Sequence, residues 1–177
     1  MSIDSTAQIH PSAVVERGAR IGAGCEIGPF CWIGPHVELA ENVVCSSHVV
    51  IRGQTKVGSD TRIFSFAVIG EIPQDLKFKG EVSQLKIGKG NTIREHVTIN
   101  LGTHGGGGVT SIGDDCLLMA GCHIAHDARL GNRVIIVNSA AIAGHVIIED
   151  EVIVGGLCGV HQFVRLGRGA IIGAVTM

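Results

Sequence analysis

Aromatic residues are scarce in this 177-residue sequence, which has no Tyr, one Trp and five Phe. Because aromatic rings normally supply much of a compact core, any core here has to be built from small and β-branched aliphatic side chains. Proline is also rare, with 4 residues against 26 glycines, and no Gly-X-Y period is present, which excludes collagen. The many glycines instead indicate a series of similar tight turns.

The sequence also lacks an excess of positive charge and a long apolar run. Its formal net charge is −2, so neither nucleic acid nor an anionic membrane surface is an expected partner. No apolar run reaches the roughly 18 residues needed to cross a bilayer, and the N-terminal residues do not resemble a signal peptide. These features predict a soluble, cytoplasmic protein with a single domain over residues 1–177.

An aliphatic side chain recurs every six residues, with Cys45 as the one substitution. The first run extends from Ile9 to Ile69; the pattern resumes at Ile87, shifts by one residue before Ile112 and continues to Ile172. A second column of small or β-branched side chains lies two residues earlier, so both columns point inward from short strands. Glycine often follows the aliphatic residue and marks a corner. Three strands and three corners per coil of about 18 residues predict a triangular, parallel β-helix.

Neither an α-helix nor a cysteine-based site fits this sequence. In an α-helix, a six-residue period would drift around the axis instead of marking one face. The six cysteines include no Cys-x-x-Cys pair, and all fall in the two inward columns. They are therefore predicted to be buried free thiols and not disulfides or a metal site.

The repeat is interrupted twice, and interruptions are the first places to look for function. In the first, at about residues 71–86, Asp75 and Glu81 occupy hexad positions that cannot line an apolar core, so the segment should loop outward. Asp75 and Lys77 suit sugar hydroxyls and phosphate oxygens, although a solvated charged loop is equally consistent. In the second, at about residues 100–111, a run of four glycines suggests a lid, a contact with a neighbouring subunit or a plain surface loop.

Four histidines, His123, His126, His145 and His161, are close to hexad residues that are equivalent in successive coils. The winding therefore places His126, His145 and His161 near one corner of the prism, where they should line one groove, and His123 lies close by in the chain. A neutral imidazole can take a proton from a hydroxyl that attacks a thioester, and a carboxylate such as Asp127 can hold its tautomer. A backbone N–H, such as that of Gly144, can stabilise the oxyanion. The same histidines could instead bind zinc across a subunit interface.

Several motifs carry a family resemblance, namely residues 69–71, 74–77, 123–127, 143–145 and 160–163. With them the chain resembles the bacterial UDP-N-acetylglucosamine O-acyltransferases, which belong to the hexapeptide-repeat acyltransferases and begin lipid A biosynthesis. The resemblance implies a left-handed β-helix and a homotrimer with active sites between subunits. It also implies (R)-3-hydroxyacyl-acyl carrier protein as donor, a UDP-amino sugar as acceptor, and no metal or organic cofactor.

The resemblance also implies roles for individual residues. His126 is similar to the general base that acts on the sugar 3-hydroxyl, with Asp127 as its partner and the Gly144 amide as oxyanion donor. Ala174 corresponds to a position that limits acyl length. The residues that resemble those lining the substrate cleft are Gln74, Asp75, Lys77, His123, His145, His161 and Gln162.

Two departures from the family pattern affect these expectations. Asn100-Leu101 stands where relatives often have His-Arg, which leaves open whether the acceptor presents a 3-hydroxyl or a 3-amino group. The family's C-terminal helical region is expected to be absent from this chain. A trimeric zinc hydratase of the carbonic-anhydrase type and a purely structural β-helix are the alternative functional predictions.

Overall fold

The computed structural model describes residues 2–176 and is a left-handed parallel β-helix. The hexad predicts the parallel β-helix, and the family resemblance implies its left-handedness. Three sheets form the sides of a triangular prism, and consecutive strands of the chain belong to successive sheets, so each sheet receives every third strand. Every strand pairing is parallel. No helix in the described part of the chain is long and apolar enough to span a membrane.

The strands, numbered in chain order, are short. Sheet 1 contains β1 (Ser2–Ile3), β4 (Arg20–Ile21), β7 (Glu38–Leu39), β10 (Gln54–Val57), β13 (Gln84–Ile87), β16 (Val109–Ile112), β19 (Arg129–Leu130), β22 (Ile147–Ile148) and β25 (Arg165–Leu166). Sheet 2 contains β2 (Gln8–Ile9), β5 (Glu26–Ile27), β8 (Val44–Cys45), β11 (Arg62–Ile63), β14 (Thr92–Ile93), β17 (Leu117–Leu118), β20 (Ile135–Ile136), β23 (Ile153–Val154) and β26 (Ile171–Ile172). Sheet 3 contains β3 (Val14–Val15), β6 (Trp32–Ile33), β9 (Val50–Ile51), β12 (Val68–Glu71), β15 (Thr98–Asn100), β18 (His123–Ile124), β21 (Ala141–Ile142) and β24 (Gly159–Val160).

The core is a stack of aliphatic side chains along the axis of the prism. On sheet 3, for example, Ile99, Ile124 and Ile142 are fully buried and occupy paired positions on adjacent strands. Burying each such side chain stabilises the fold by about 1.5–3 kcal/mol. The buried hydrophobic residues of the described chain include no aromatic side chain, as the composition predicts.

All six cysteines are buried and free, which confirms the prediction from their columns. Several thiols donate to a corner carbonyl of the next coil, as from Cys31 to Ser46 (2.8 Å) and from Cys158 to Gly173 (2.8 Å). Burial raises the pKa of the Cys116 thiol to about 11 and that of Cys122 to about 12. These thiols therefore act as small core residues that also satisfy a polar backbone group.

Both interruptions of the repeat leave the prism at one corner, between sheet 3 and sheet 1, here called the site corner. Val68 pairs with Thr98 on the adjacent strand, and Thr98 pairs with His123. The partners in both pairs are separated by more residues along the chain than His123 and Ala141, which are paired across one regular coil. Loop 1 covers residues 72–83 and loop 2 covers residues 101–108, with a short 3-10 helix at His104–Gly106. The coil with His126 follows directly, so both loops lie beside the histidines.

Candidate active site

The site corner presents equivalent residues of successive coils in columns. In three successive coils its second turn residue has left-handed backbone geometry, with φ of 60° at Asp127, 62° at His145 and 66° at Phe163. Such a conformation costs an L-residue roughly 1–2 kcal/mol, which packing and hydrogen bonding between coils must offset. The His145 N–H, for example, donates to the His126 carbonyl at 3.1 Å. The winding thus brings side chains of successive coils into contact.

His126 and Asp127 form a buried pair at the centre of this corner. Their exposed fractions are 6% and 3%, and His126 Nδ1 lies 2.8 Å from Asp127 Oδ2. An ionised carboxylate only accepts hydrogen bonds, so Nδ1 carries the proton and Nε2 keeps a free lone pair. The arrangement is that of an imidazole held in the tautomer that can act as a base.

The Asp127 carboxylate receives two further hydrogen bonds, both from Thr103 in loop 2. The Thr103 N–H donates to Oδ1 at 2.9 Å, and its hydroxyl donates to Oδ2 at 2.6 Å. The backbone N–H of Asp127 in turn donates to the Thr110 hydroxyl at 2.8 Å. The N–H and the hydroxyl of Thr103 compensate for burying the charge of the Asp127 carboxylate, which would otherwise be strongly unfavourable.

Gly144 occupies the turn position one coil after His126. A Cβ built on it would lie 2.6 Å from His126 Cε1 and 2.8 Å from Nε2, closer than real carbon contacts allow. Only glycine therefore lets the imidazole lie against this part of the backbone. The Gly144 N–H makes no hydrogen bond within residues 2–176, so it is free to donate to a ligand beside Nε2.

His145 and Phe163 continue the column beyond Asp127. The rings of His126 and His145 are 5.1 Å apart in an edge-to-face arrangement, and His145 stacks on Phe163 at 4.6 Å. His145 Nδ1 lies 4.0 Å from Asp127 Oδ2, which is too far for a hydrogen bond. The His145 ring therefore lies between the buried pair and the exposed Phe163 side chain.

A cleft of about 590 Å³ opens over this column. Loop 1, loop 2 and the site corner all contribute to it. It is lined by Asp75, Lys77, Phe78, Lys79, Glu81, Thr103, His104, Gly105, His145 and Phe163.

Loop 1 presents its polar residues through a turn. The Asp75 carboxylate accepts from the Lys77 N–H at 2.9 Å, and the Phe78 N–H donates to the Asp75 carbonyl. This turn leaves Leu76 fully exposed at its tip, and Asp75 and Lys77 line the cleft. Gln74 is exposed and does not line the cleft within this single chain.

The other predicted site residues make no hydrogen bond to the buried pair within residues 2–176. His123 points out from sheet 3, where its Nδ1 lies 2.7 Å from the Thr98 hydroxyl; burial, with a smaller contribution from His126, lowers the pKa of this imidazole. His161 and Gln162 lie exposed at the site corner on the coil of Phe163. Ala174 is exposed at a different corner, between sheet 2 and sheet 3.

A metal ion could be held only by the same central residues, among those that the structure describes. Ligand atoms of His126, Asp127 and His145 lie within 4.8 Å of one another. Both Asp127 oxygens, however, already accept hydrogen bonds from Thr103, and Oδ2 also lies within hydrogen-bond distance of His126 Nδ1. The cluster is thus satisfied as a hydrogen-bonded pair.

Sequence reasoning missed Thr103 and Thr110, whose hydroxyls contact Asp127 directly. A Thr two residues before a glycine run carries no signal until the loop is folded. It also missed a ladder of stacked rings at the corner between sheet 2 and sheet 3, formed by Phe30, His48, Phe66 and His96 with centroids 4.9–5.1 Å apart. Recurrence of Phe or His at the same corner position of successive coils could have revealed this ladder.

Comparisons with known proteins identify relatives of this chain. A family model described as bacterial transferase hexapeptide (six repeats) matches residues 12–47 and 110–144. The chain is 69% identical over 115 residues to an acyl-[acyl-carrier-protein]–UDP-N-acetylglucosamine O-acyltransferase of Paracoccus denitrificans, which covers 65% of this chain and 44% of the relative. It is 56% identical over 167 residues to the enzyme of the same name from Verminephrobacter eiseniae, covering 94% of this chain and 64% of the relative.

A solved structure gives the same result in three dimensions. A crystal structure of a UDP-N-acetylglucosamine acyltransferase superposes with a TM-score of 0.94 and 48% identity, covering 94% of this chain and 64% of that one. The chain thus spans less than two thirds of the length of these relatives. The β-helix, the identity and the shared repeat together confirm the resemblance seen in the sequence. The chain therefore belongs to the family of UDP-N-acetylglucosamine acyltransferases.

Proposed function

We propose that the protein transfers a (R)-3-hydroxyacyl chain from acyl carrier protein to the 3-position of UDP-N-acetylglucosamine, the first step of lipid A biosynthesis. The observation that carries this proposal is the buried His126–Asp127 pair, with His126 Nε2 free beside Gly144 and with its neighbours Thr103 and His145 lining the cleft. The names of the relatives from Paracoccus denitrificans and Verminephrobacter eiseniae supply the donor and acceptor classes.

The reaction follows from the proton positions at this pair. His126 Nε2 takes the proton from the sugar 3-hydroxyl while the oxygen attacks the thioester carbonyl. The Asp127 carboxylate stabilises the imidazolium through the Nδ1–H hydrogen bond. The Gly144 N–H donates to the oxyanion, which then collapses, and the departing thiolate of the carrier receives the proton from His126. An ester forms and a thioester breaks.

The remaining predicted residues bind the substrates in this proposal. Lys77 provides a cation for the diphosphate, and Asp75 accepts from a sugar hydroxyl at the mouth of the cleft. His145 extends the wall of the cleft between the base and Phe163. Gln74, His123, His161 and Gln162 are assigned to the outer parts of the same binding surface.

The proposal includes a homotrimer. A cyclic trimer joins two different surfaces of each protomer, so a residue at one corner can face another corner of its neighbour. Ala174 and His126 lie at different corners of this prism, which suits an acyl chain that runs between protomers from the base of one to Ala174 of the next. The exposed apolar tip of loop 1, Leu76, is a further candidate for contact with a neighbour. The cytoplasm, where acyl carrier protein and nucleotide sugars occur, is the proposed location.

The test is a transfer assay with a mixture of acyl-carrier donors and UDP-N-acetylglucosamine, read by product mass spectrometry. The His126→Ala variant should lose turnover by more than about 1,000-fold, because the general base is removed. His10→Ala, which changes an exposed histidine at another corner, is the matched control and should retain normal turnover. Normal turnover by His126→Ala would refute the proposed base.

The same assay decides the acceptor and the length of the acyl chain. Parallel reactions with the 3-amino analogue of the sugar distinguish an ester from an amide product, a choice that Asn100-Leu101 leaves open in the sequence. Ala174→Gly should admit a longer chain if this position limits acyl length, because one methyl group is removed. An unchanged product distribution would contradict that role.

A further inference from the structure

Loop 2 closes over the carboxylate of Asp127. Thr103 donates to both oxygens of this carboxylate, through its N–H to Oδ1 and its hydroxyl to Oδ2. Thr103 is 6% exposed and Asp127 is 3% exposed, so bulk water does not compete for these two hydrogen bonds. Each buried hydrogen bond to an ionised group is stronger than one on the surface.

The glycines of loop 2 are explained by this closure. Any Cβ on Gly106 would overlap the Asp127 carboxyl group, so glycine is required where the loop crosses the carboxylate. Gly107 and Gly108 have φ of 95° and 78°, in the left-handed region that favours glycine. The Thr103 carbonyl accepts from the N–H groups of Gly106 (3.1 Å) and Gly108 (2.8 Å), which closes the loop on itself. The run thus allows close packing over Asp127.

Loop 2 is also hydrogen-bonded to loop 1. The His104 N–H donates to Glu81 Oε1 at 3.2 Å, and the Lys79 N–H donates to the other oxygen at 2.8 Å. The N–H groups of Lys79, Glu81 and His104 lower the pKa of the Glu81 carboxyl, so this acceptor stays ionised at neutral pH. Loop 1, which carries Asp75 and Lys77, is therefore hydrogen-bonded to the loop that holds Asp127.

We propose that loop 2 is a clamp for the Asp127 carboxylate and that Thr103 is a positioning residue for the acyl transfer. This inference rests on the proposed function of the His126–Asp127 pair. The hydroxyl and N–H of Thr103 hold the two carboxylate oxygens, so that Oδ2 is directed at His126 Nδ1. Thr103 acts through Asp127 and His126 and does not itself exchange a proton with the substrate.

The test compares Thr103→Val, which keeps the shape of the side chain and removes the hydroxyl, with Thr103→Ser, which keeps the hydroxyl. Loss of one hydrogen bond to the buried carboxylate should lower kcat by about 10- to 100-fold in Thr103→Val. KM for both substrates should change by less than about threefold, because the Thr103 hydroxyl donates to Asp127 and not to a substrate. Thr103→Ser should recover kcat to within about threefold of the wild type. The matched control is Thr61→Val, which removes another buried hydroxyl far from the site corner.

A spectroscopic readout separates positioning from general destabilisation. The Nδ1–H of His126 should give a downfield proton resonance that is protected from exchange in the wild type, Thr103→Ser and Thr61→Val. It should broaden or shift upfield in Thr103→Val, because Oδ2 then loses the hydroxyl donor that helps to direct it at His126 Nδ1. A Thr103→Val variant with kcat and resonance like those of the wild type would overturn the clamp, as would a failure of Thr103→Ser to recover kcat.

The outcomes also distinguish the clamp from the proposed function itself. If His126→Ala loses turnover while Thr103→Val does not, only the clamp is wrong. If His126→Ala turns over normally, the proposed base fails whatever Thr103 does. Should Thr103→Val fold poorly, Thr103→Ser and Gly106→Ala still test the clamp, since Gly106→Ala pushes directly on Asp127 and should lower kcat without changing KM.

Discussion

Replacing Gly144 with alanine tests the position of His126 without removing any catalytic group. The substitution keeps the backbone N–H proposed as oxyanion donor and keeps both His126 and Asp127. The added methyl group would lie 2.6 Å from His126 Cε1, whereas ordinary contacts begin at about 3.4 Å. The imidazole must therefore shift by about 0.8 Å, which disturbs a hydrogen bond to Asp127 that now measures 2.8 Å.

A displacement of this size has a large expected effect on the rate. Misplacing a reacting group by about 1 Å can lower the rate about 100-fold. We therefore expect kcat of Gly144→Ala to fall by about 100-fold, which corresponds to about 2.7 kcal/mol in the activation free energy. The fold should be retained, because Gly144 has no left-handed φ and the three atoms nearest to the added Cβ belong to the His126 side chain and not to the backbone.

The matched control is Gly159→Ala, one coil later on sheet 3, where an added Cβ meets nothing within 4 Å. Steady-state transfer kinetics and thermal unfolding of both variants give the result. The control should keep its rate and gain up to about 1 kcal/mol in the free energy of unfolding, because alanine restricts the unfolded chain. Equal rates for Gly144→Ala and the wild type would refute a base fixed against Gly144.

Three further outcomes follow from the hydrogen bonds and the burial. Asp127→Asn should lower kcat by about 1,000- to 10,000-fold with the fold retained, because the amide stabilises the wrong tautomer of His126; a loss below about tenfold would contradict the pair. Burial lowers the pKa of His123, so the neutral form is favoured in the folded state, and stability should fall as the pH drops through the ordinary value of about 6.5, where the unfolded chain takes up the proton first. Urea unfolding should show that the free energy of unfolding falls less between pH 7.5 and pH 5.5 in His123→Asn than in the wild type. Equal decreases in the two proteins would count against this linkage. A thiol reagent at pH 8 should modify none of the six buried cysteines in the native protein and all of them in guanidinium chloride; rapid modification of the native protein would contradict the raised pKa values of Cys116 and Cys122.

The central residues of the candidate site could be located from the sequence because the repeat converts spacing into position. His145 follows His126 by one coil and one further residue, so the spacing predicts that their rings share a corner, and the contact between the rings confirms it. The cysteines were predicted to be buried by the same argument. The site residues that lie within the regular coils can therefore be located from their spacing along the sequence.

The sequence alone determined the architecture of this protein, since a six-residue period sustained over most of the chain fixes which side chains point inward and where each corner falls. Tertiary structure decided how the two interruptions fold, because their residues have no period and their conformations depend on what they pack against. Loop 2 is the clearest case: glycines that suggest mobility are instead required by the Asp127 carboxylate beneath Gly106. Thr103, its donor to that carboxylate, became recognisable only when two distant parts of the chain were brought together by the winding.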